Sequence, residues 1–212
     1  MTDFRGKKVL ITGAASGIGR LMTEKIAAQG GQMILWDVNQ EGLTNLAEEL
    51  KQKNVKVSTY VCNLADREAI YATAEQVKQD FGTIDILVNN AGIVSGKPLI
   101  ETSDEEIIRT FDVNTLALFW TTRAFLPDMV QRNSGHLVTI ASAAGLVGTA
   151  RLTDYCASKF GAVGYAESMR MELKRQKLNI RTTMVCPYYI NTGMFEGAKT
   201  RFSWLLPILE PE

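Results

Sequence analysis

Val9-Leu10-Ile11-Thr12-Gly13-Ala14-Ala15-Ser16-Gly17-Ile18-Gly19 is the stretch whose reading decides the fold. Val9-Leu10-Ile11 is a short apolar run, and the turn after it carries glycines at 13, 17 and 19. An amphipathic segment from Gly17 to Gln29 follows and stops at Gly30-Gly31. Strand, glycine-rich turn and helix in that order have a physical use. Glycine permits a tight turn and lets a backbone approach a pyrophosphate, while the helix N-terminus offers unpaired N–H groups and a positive dipole end. A glycine-rich turn without a ligand reads the same in isolation, so the surrounding sequence has to decide.

Working outward, short apolar runs recur at Met33-Ile34-Leu35-Trp36, Val55 to Val61, Ile84 to Val88, His136 to Ile140 and Ile180 to Val185. Between them lie segments with helical periodicity. Glu41 to Lys53 places Leu43, Leu46 and Leu50 on one face. Asp66 is suited to cap a helix that ends at Phe81-Gly82, and Thr102 or Ser103 to cap another whose first turn carries Asp104, Glu105 and Glu106. Thr153 or Asp154 opens a long helix that reaches about Lys174. Buried strands alternating with helices predict an α/β fold, a doubly wound parallel sheet of Rossmann type, with ligands at the carboxyl ends of its strands. The expectation is one domain over 1–212, with 188–212 as a substrate lid.

Composition narrows the function. The chain has 212 residues, with 23 Lys plus Arg against 23 Asp plus Glu, so net charge gives no case for nucleic acid or an anionic membrane as main partner. A single histidine, His136, removes two-histidine zinc sites, and no metal is expected. Cys62, Cys156 and Cys186 are scattered without a Cys-x-x-Cys and read as reduced thiols of a cytoplasmic protein. No apolar run approaches the ~18 residues of a membrane span.

Asp37 ends the second strand, where a carboxylate can accept hydrogen bonds from adenosine ribose hydroxyls and repel a 2′-phosphate. Nothing basic adjoins it, so NAD is expected over NADP; a solvated acid at a helix start is the alternative. Tyr155 and Lys159 stand four apart on a predicted helix and share a face. An ammonium near a phenol lowers the phenol pKa, which suits an acid–base tyrosine. Six tyrosines and twelve lysines in 212 residues give about 0.3 such pairs by chance, so the pair needs company. Ser142, just past the fifth strand, can hold a substrate oxygen or simply shape a turn.

Together these motifs resemble the short-chain dehydrogenase/reductase family. The segment from Thr12 to Gly19 is similar to its T-G-x-x-x-G-I-G, and Asn89-Asn90-Ala91-Gly92 to its N-N-A-G. Asn114, Ser142, Tyr155 and Lys159 fall at its active-site positions, over a match from about Lys7 to Thr192. Trp36-Asp37-Val38-Asn39, Phe119-Trp120-Thr121-Thr122, Asp154-Tyr155-Cys156-Ala157-Ser158-Lys159-Phe160 and Pro187-Tyr188-Tyr189-Ile190-Asn191-Thr192 resemble the branch of epidermal-type retinol dehydrogenases and lipid-droplet 17-beta-hydroxysteroid dehydrogenases. Most of the family has Pro-Gly where this chain has Pro187-Tyr188, and Asn63 stands where many members have aspartate.

The resemblance implies reversible hydride transfer between NAD and an alcohol/carbonyl pair. Tyr155 would move the hydroxyl proton, Lys159 lower its pKa and bind ribose, Ser142 hold the substrate oxygen and Asn114 position a water behind Lys159. It implies cofactor contacts at Gly13, Ser16, Gly17, Ile18, Gly19, Asp37, Asn63, Leu64, Asn90, Ala91, Gly92, Pro187, Ile190 and Thr192, besides Tyr155 and Lys159. The apolar residues Tyr188, Tyr189, Met194, Phe195, Phe202, Trp204, Leu205 and Leu206 suit a steroid, retinoid or long-chain alcohol, or else pack against a partner. A reductase of fatty-acyl or sugar carbonyls and an NAD-binding protein with little turnover are the alternatives. Family members carry a seventh strand and last helix beyond the point where Glu212 falls. The chain is therefore expected to be a piece of a longer protein or a poorly active, self-associating variant, and a homodimer or homotetramer at full length.

Overall fold

The structure, a computed structural model, describes residues 3–191 and 209. Six strands, β1 (Lys8–Thr12), β2 (Gln32–Asp37), β3 (Val57–Val61), β4 (Ile86–Asn89), β5 (Gly135–Ile140) and β6 (Ile180–Val185), form one parallel sheet in the order β3-β2-β1-β4-β5-β6. The helices are α1 (Gly17–Ala28), α2 (Gln40–Gln52), α3 (Arg67–Phe81), α4 (Asp104–Phe111), α5 (Ala117–Gln131) and α6 (Thr153–Arg175). The α/β expectation holds, and every strand lies within a residue or two of its apolar run.

Alternation along each strand separates two cores. Val9, Ile11, Met33 and Leu35 pack with Leu43, Leu46 and Leu50 of α2. Leu10, Ile34, Trp36 and Leu87 face the other way, with Ile70 of α3 and Phe125 and Met129 of α5. Trp36 is fully buried, its ring 5.9 Å from that of Phe125. Each such side chain contributes roughly 1.5–3 kcal/mol by leaving water.

The helix starts follow side-chain chemistry. Asp66 Oδ1 accepts the Ala69 N–H at 3.0 Å, and Ser103 and Glu106 close a reciprocal capping box at α4. From Asp104 the helical path continues to Gln131, widening to a π turn at Asp112–Leu116. The apolar pattern does not announce α5, which holds Pro127 in its interior and is buried on several sides. The order of strands reverses between β1 and β4, the switch point where sheets of this kind open a crevice.

Candidate active site

A cavity of about 520 Å³ opens at that crevice. Its floor is the turn after β1. Gly13 and Gly17 adopt φ of +65° and +53°, the left-handed region that favours glycine. A Cβ on Gly13 would lie 2.8 Å from the Ala91 Cα, and one on Gly19 2.0 Å from the Gly13 carbonyl oxygen. Side chains at these positions would push the turn off β4 and off itself. Asn90 staples the same junction, donating from Nδ2 to the Thr12 and Gly13 carbonyls at 2.9 and 3.1 Å.

Ser16, Gly17, Ile18 and Gly19 line the cavity at the start of α1. No side chain caps that helix, and its first turn holds no acid. Unshielded N–H groups and the positive dipole end therefore meet the cavity, as a pyrophosphate requires. At the end of β2, Asp37 is half-buried and also lines the cavity. Its Oδ2 accepts the Ala15 N–H at 2.9 Å and its Oδ1 the Asn39 N–H at 3.0 Å. A carboxylate accepts about four hydrogen bonds, so capacity for two ribose hydroxyls is left. Asn63 and Leu64 form the adjoining wall with buried Cys62. The Asn63 side-chain oxygen accepts the Ala65 N–H at 3.1 Å, so it shapes its own turn as well. The residues present fit a dinucleotide, and they do so through the turn, the helix end and the acid together.

The long helix α6 brings Tyr155 and Lys159 to the same cavity, each 4% exposed. Lys159 Nζ lies 5.8 Å from the Tyr155 ring centroid and donates to the Ile140 carbonyl at 3.1 Å. Gly92 keeps room for it: a Cβ there would stand 3.3 Å from Nζ. Gly145 lets α6 close on the turn after β5, since a Cβ would lie 2.6 Å from the Lys159 carbonyl oxygen. Ser142 begins that turn, its Oγ accepting the Ala144 N–H at 3.1 Å, and it also hydrogen-bonds Tyr155. Both sequence readings of Ser142, turn residue and site residue, thus describe one side chain.

Asn114 sits in the π turn between α4 and α5, 1% exposed. Its Oδ1 accepts the Ile93 N–H at 2.8 Å, and its Nδ2 donates to the Ile93 carbonyl at 2.9 Å and to Ser158 Oγ at 3.0 Å. Ser158 in turn donates to the Tyr155 carbonyl at 2.7 Å. A π turn adds a residue to the helical circuit and aims one side chain inward, a device frequent at functional sites.

The sequence leads one to expect Lys159 to lower the Tyr155 pKa; in the structure burial pushes the phenol up, and the Ser142 hydrogen bond opposes it. Burial also pulls the Lys159 ammonium down, to about 8. Desolvation acts against both charged forms at once.

Of the expected cofactor contacts all but Thr192 line the cavity. Thr192, and the lid residues Met194, Phe195, Phe202, Trp204, Leu205 and Leu206, lie outside the described residues. Tyr188 lines the cavity and packs edge-on to Tyr189, with ring centroids 5.0 Å apart. Sequence reasoning did not anticipate Ile93, Val94, Arg109 and Val113, which complete the wall beside Asn114. The four-residue spacing of Arg109 and Val113 within the helical path that carries Asn114 is the signal that finds two of them. His136 takes no part: on β5, its Nε2 pairs with Thr183 Oγ1 at 2.8 Å.

Comparison with known proteins agrees with this arrangement. The short chain dehydrogenase family model matches residues 7–201. Bovine (Bos taurus) short-chain dehydrogenase/reductase family 16C member 6 is 50% identical, over 99% of this chain and 67% of its own length. Epidermal retinol dehydrogenase 2 of Mus musculus is 48% identical, over 98% of this chain and 68% of its own. Among solved structures, a short-chain dehydrogenase/reductase from Burkholderia phymatum in complex with NAD superposes with a TM-score of 0.88 at 30% identity, covering 95% of this chain and 76% of that one. A metagenomic short-chain oxidoreductase in complex with NADP gives 0.82 at 32% identity, covering 88% and 84%.

This chain belongs to the short-chain dehydrogenase family, and is an oxidoreductase acting on CH–OH groups. Its resemblance to the retinol dehydrogenase branch is borne out by the relatives.

Proposed function

We propose that the protein is an NAD-dependent dehydrogenase of an apolar alcohol, of retinoid, steroid or long-chain type. The observation that carries this is the convergence of Tyr155, Ser142 and Lys159 on one cavity whose far end is built from the uncapped start of α1 and Asp37, with Asn114 buried behind its wall on Ile93 and Ser158. The relatives that bear the name retinol dehydrogenase support the substrate class. The solved neighbours hold NAD in one case and NADP in another, and Asp37 with no neighbouring base favours NAD here.

The dinucleotide, when bound, supplies the hydride acceptor or donor. The chain's residues do the rest. Ser142 holds the substrate oxygen beside Tyr155; as phenolate the Tyr155 oxygen takes the hydroxyl proton during oxidation, and as phenol it gives one to the nascent alkoxide during reduction. Lys159 holds ribose hydroxyls and passes protons outward, while Asn114 fixes the backbone at Ile93 and a water behind Lys159. Ile93, Val94, Val113 and Tyr188 exclude bulk water from the reacting oxygen, which strengthens every dipole aimed at it.

No helix among the described residues is long and apolar enough to cross a membrane. The cytoplasm is the compartment we propose, since the three cysteines are free thiols. A homodimer or homotetramer is the proposed assembly. The deciding experiment is a dehydrogenase screen with NAD and NADP against retinol, steroids and aliphatic alcohols. Turnover of apolar alcohols with NAD is expected. Exclusive turnover of sugar or fatty-acyl carbonyls, or none, would overturn the proposal.

A further inference from the structure

Asp154 is a buried acid that no step above uses. It is 4% exposed, and its partners are hydroxyls rather than cations: Ser95 Oγ donates to Oδ1 at 3.0 Å and Thr110 Oγ1 to Oδ2 at 3.1 Å. A carboxylate is costly to bury unless its oxygens are hydrogen-bonded. Both are, and the first turn of the 23-residue α6 adds a favourable dipole.

Asp154 and its two partners each adjoin a residue that lines the cavity's catalytic half. Ser95 belongs to the segment after Gly92, whose Ile93 and Val94 line the cavity. Thr110 lies on α4 next to Arg109, four residues before Asn114. Asp154 immediately precedes Tyr155. A single side chain therefore fastens the first turn of α6 to the segment after β4 and to α4, and Asn114 joins that same segment to α6 from the other side through Ile93 and Ser158.

We propose that Asp154 is a positioning residue: by binding Ser95 and Thr110 it fixes the turn carrying Tyr155 against the substrate wall and so sets the distance from the phenol to the reacting oxygen. This rests on the reading of Tyr155 as the proton carrier. Misplacement of about 1 Å at a reacting centre can cost on the order of a hundredfold in rate. The glycine-rich turn and Asp37 share no bond with this knot, so cofactor affinity should be spared.

The test compares Asp154→Ala, Asp154→Asn, Thr110→Val and Thr110→Ser with the wild type. It measures kcat and KM on an alcohol the wild type oxidises, the Kd of NAD by calorimetry, and amide hydrogen exchange by peptide. Asp154→Ala and Thr110→Val should lower kcat about 10- to 100-fold, with NAD affinity within about twofold. Exchange should speed up in segments 93–97 and 153–158 and stay unchanged in 12–19. Thr110→Ser keeps the hydroxyl and should stay near wild type. Asp154→Asn keeps one acceptor oxygen and should fall between. If Asp154→Ala does not fold, the Thr110 pair carries the test alone. A folded Asp154→Ala or Thr110→Val with normal kcat, or with unchanged exchange at those segments, overturns the proposal. A wild type inactive on every alcohol refutes the proposed function instead, and exchange still decides whether Asp154 holds the Tyr155 turn.

Discussion

Replacing Asp37 with alanine should move the protein from NAD toward NADP, and the structure sets the size of the effect. With NAD the variant loses a charge-assisted hydrogen bond to ribose, about 1.5–3 kcal/mol, or roughly 10- to 150-fold in kcat/KM. With NADP it loses a repulsion. A carboxylate and a phosphate about 4 Å apart at an effective dielectric of about 20 repel by about 4 kcal/mol per unit charge, and exposure to solvent at a half-buried site cuts that by half or more. The NAD-to-NADP ratio should therefore fall by at least about a hundredfold from a wild-type ratio above about ten.

The same substitution also removes the acceptor for the Ala15 and Asn39 N–H groups. That loosens the turn for either cofactor, by about 1 kcal/mol per lost bond, and cancels in the ratio. Asp37→Asn separates charge from hydrogen bonding, because its amide oxygen still accepts. It should keep most of the NAD efficiency while gaining with NADP. The assay is initial rate against each cofactor at saturating alcohol. Equal wild-type efficiency with NAD and NADP, or a ratio unmoved by Asp37→Ala, would refute the reasoning.

Tyr155→Phe should lower kcat by about 10²–10⁴ with NAD affinity nearly kept, whereas Lys159→Ala should damage both; single-turnover kinetics and calorimetry separate them, and normal turnover in Tyr155→Phe would contradict its role. Stability should rise with pH between about 8 and 9.5, because burial holds Lys159 at about 8 in the folded chain against 10.5 when unfolded. The sign follows from proton counts: over that window the unfolded chain binds more protons, so the penalty for burying the ammonium, at most about 3 kcal/mol, is full below 8 and fades as pH climbs. Lys159→Met should flatten that rise in urea melts; an unchanged slope would place the pH dependence elsewhere.

The sheet and its flanking helices were readable because each rests on local chemistry. Period-two burial, Asp66 and Ser103 as caps, and the stops at Gly30 and Gly82 need no knowledge of the rest of the chain. The helix α5 was not readable for the opposite reason. Its buried residues, among them Leu118, Thr121, Thr122, Phe125 and Met129, lie on more than one face, so no single apolar stripe marks it. Thr121 and Thr122 are buried polar groups with tertiary partners that no local pattern reveals: Thr121 meets Asn89 Oδ1 at 2.8 Å as well as the Ala117 carbonyl of its own helix, and Thr122 pairs with the Tyr165 hydroxyl at 2.5 Å. The π turn that aims Asn114 inward is equally invisible, since its geometry answers to Ile93 and Ser158, distant in sequence.

The Tyr155–Lys159 pair shows where local reading stops. Spacing of four on a helix establishes a shared face, and nothing about depth. Depth is set by Gly145 and Gly92, whose missing side chains let α6 sink until Lys159 reaches the Ile140 carbonyl. At that depth the lysine is itself hard to charge, and the phenol is raised rather than lowered. A phenolate at Tyr155 then depends on donors aimed at it, and Ser142 supplies such a hydrogen bond. Placing that donor requires the turn after β5 and the first turn of α6 to keep a fixed separation. Gly145 closes that gap from one side and Asp154 braces it from the other, through Ser95 and Thr110. The acid–base chemistry of this site is therefore a property of how tightly α6 is seated, and residues that touch neither proton nor hydride govern it.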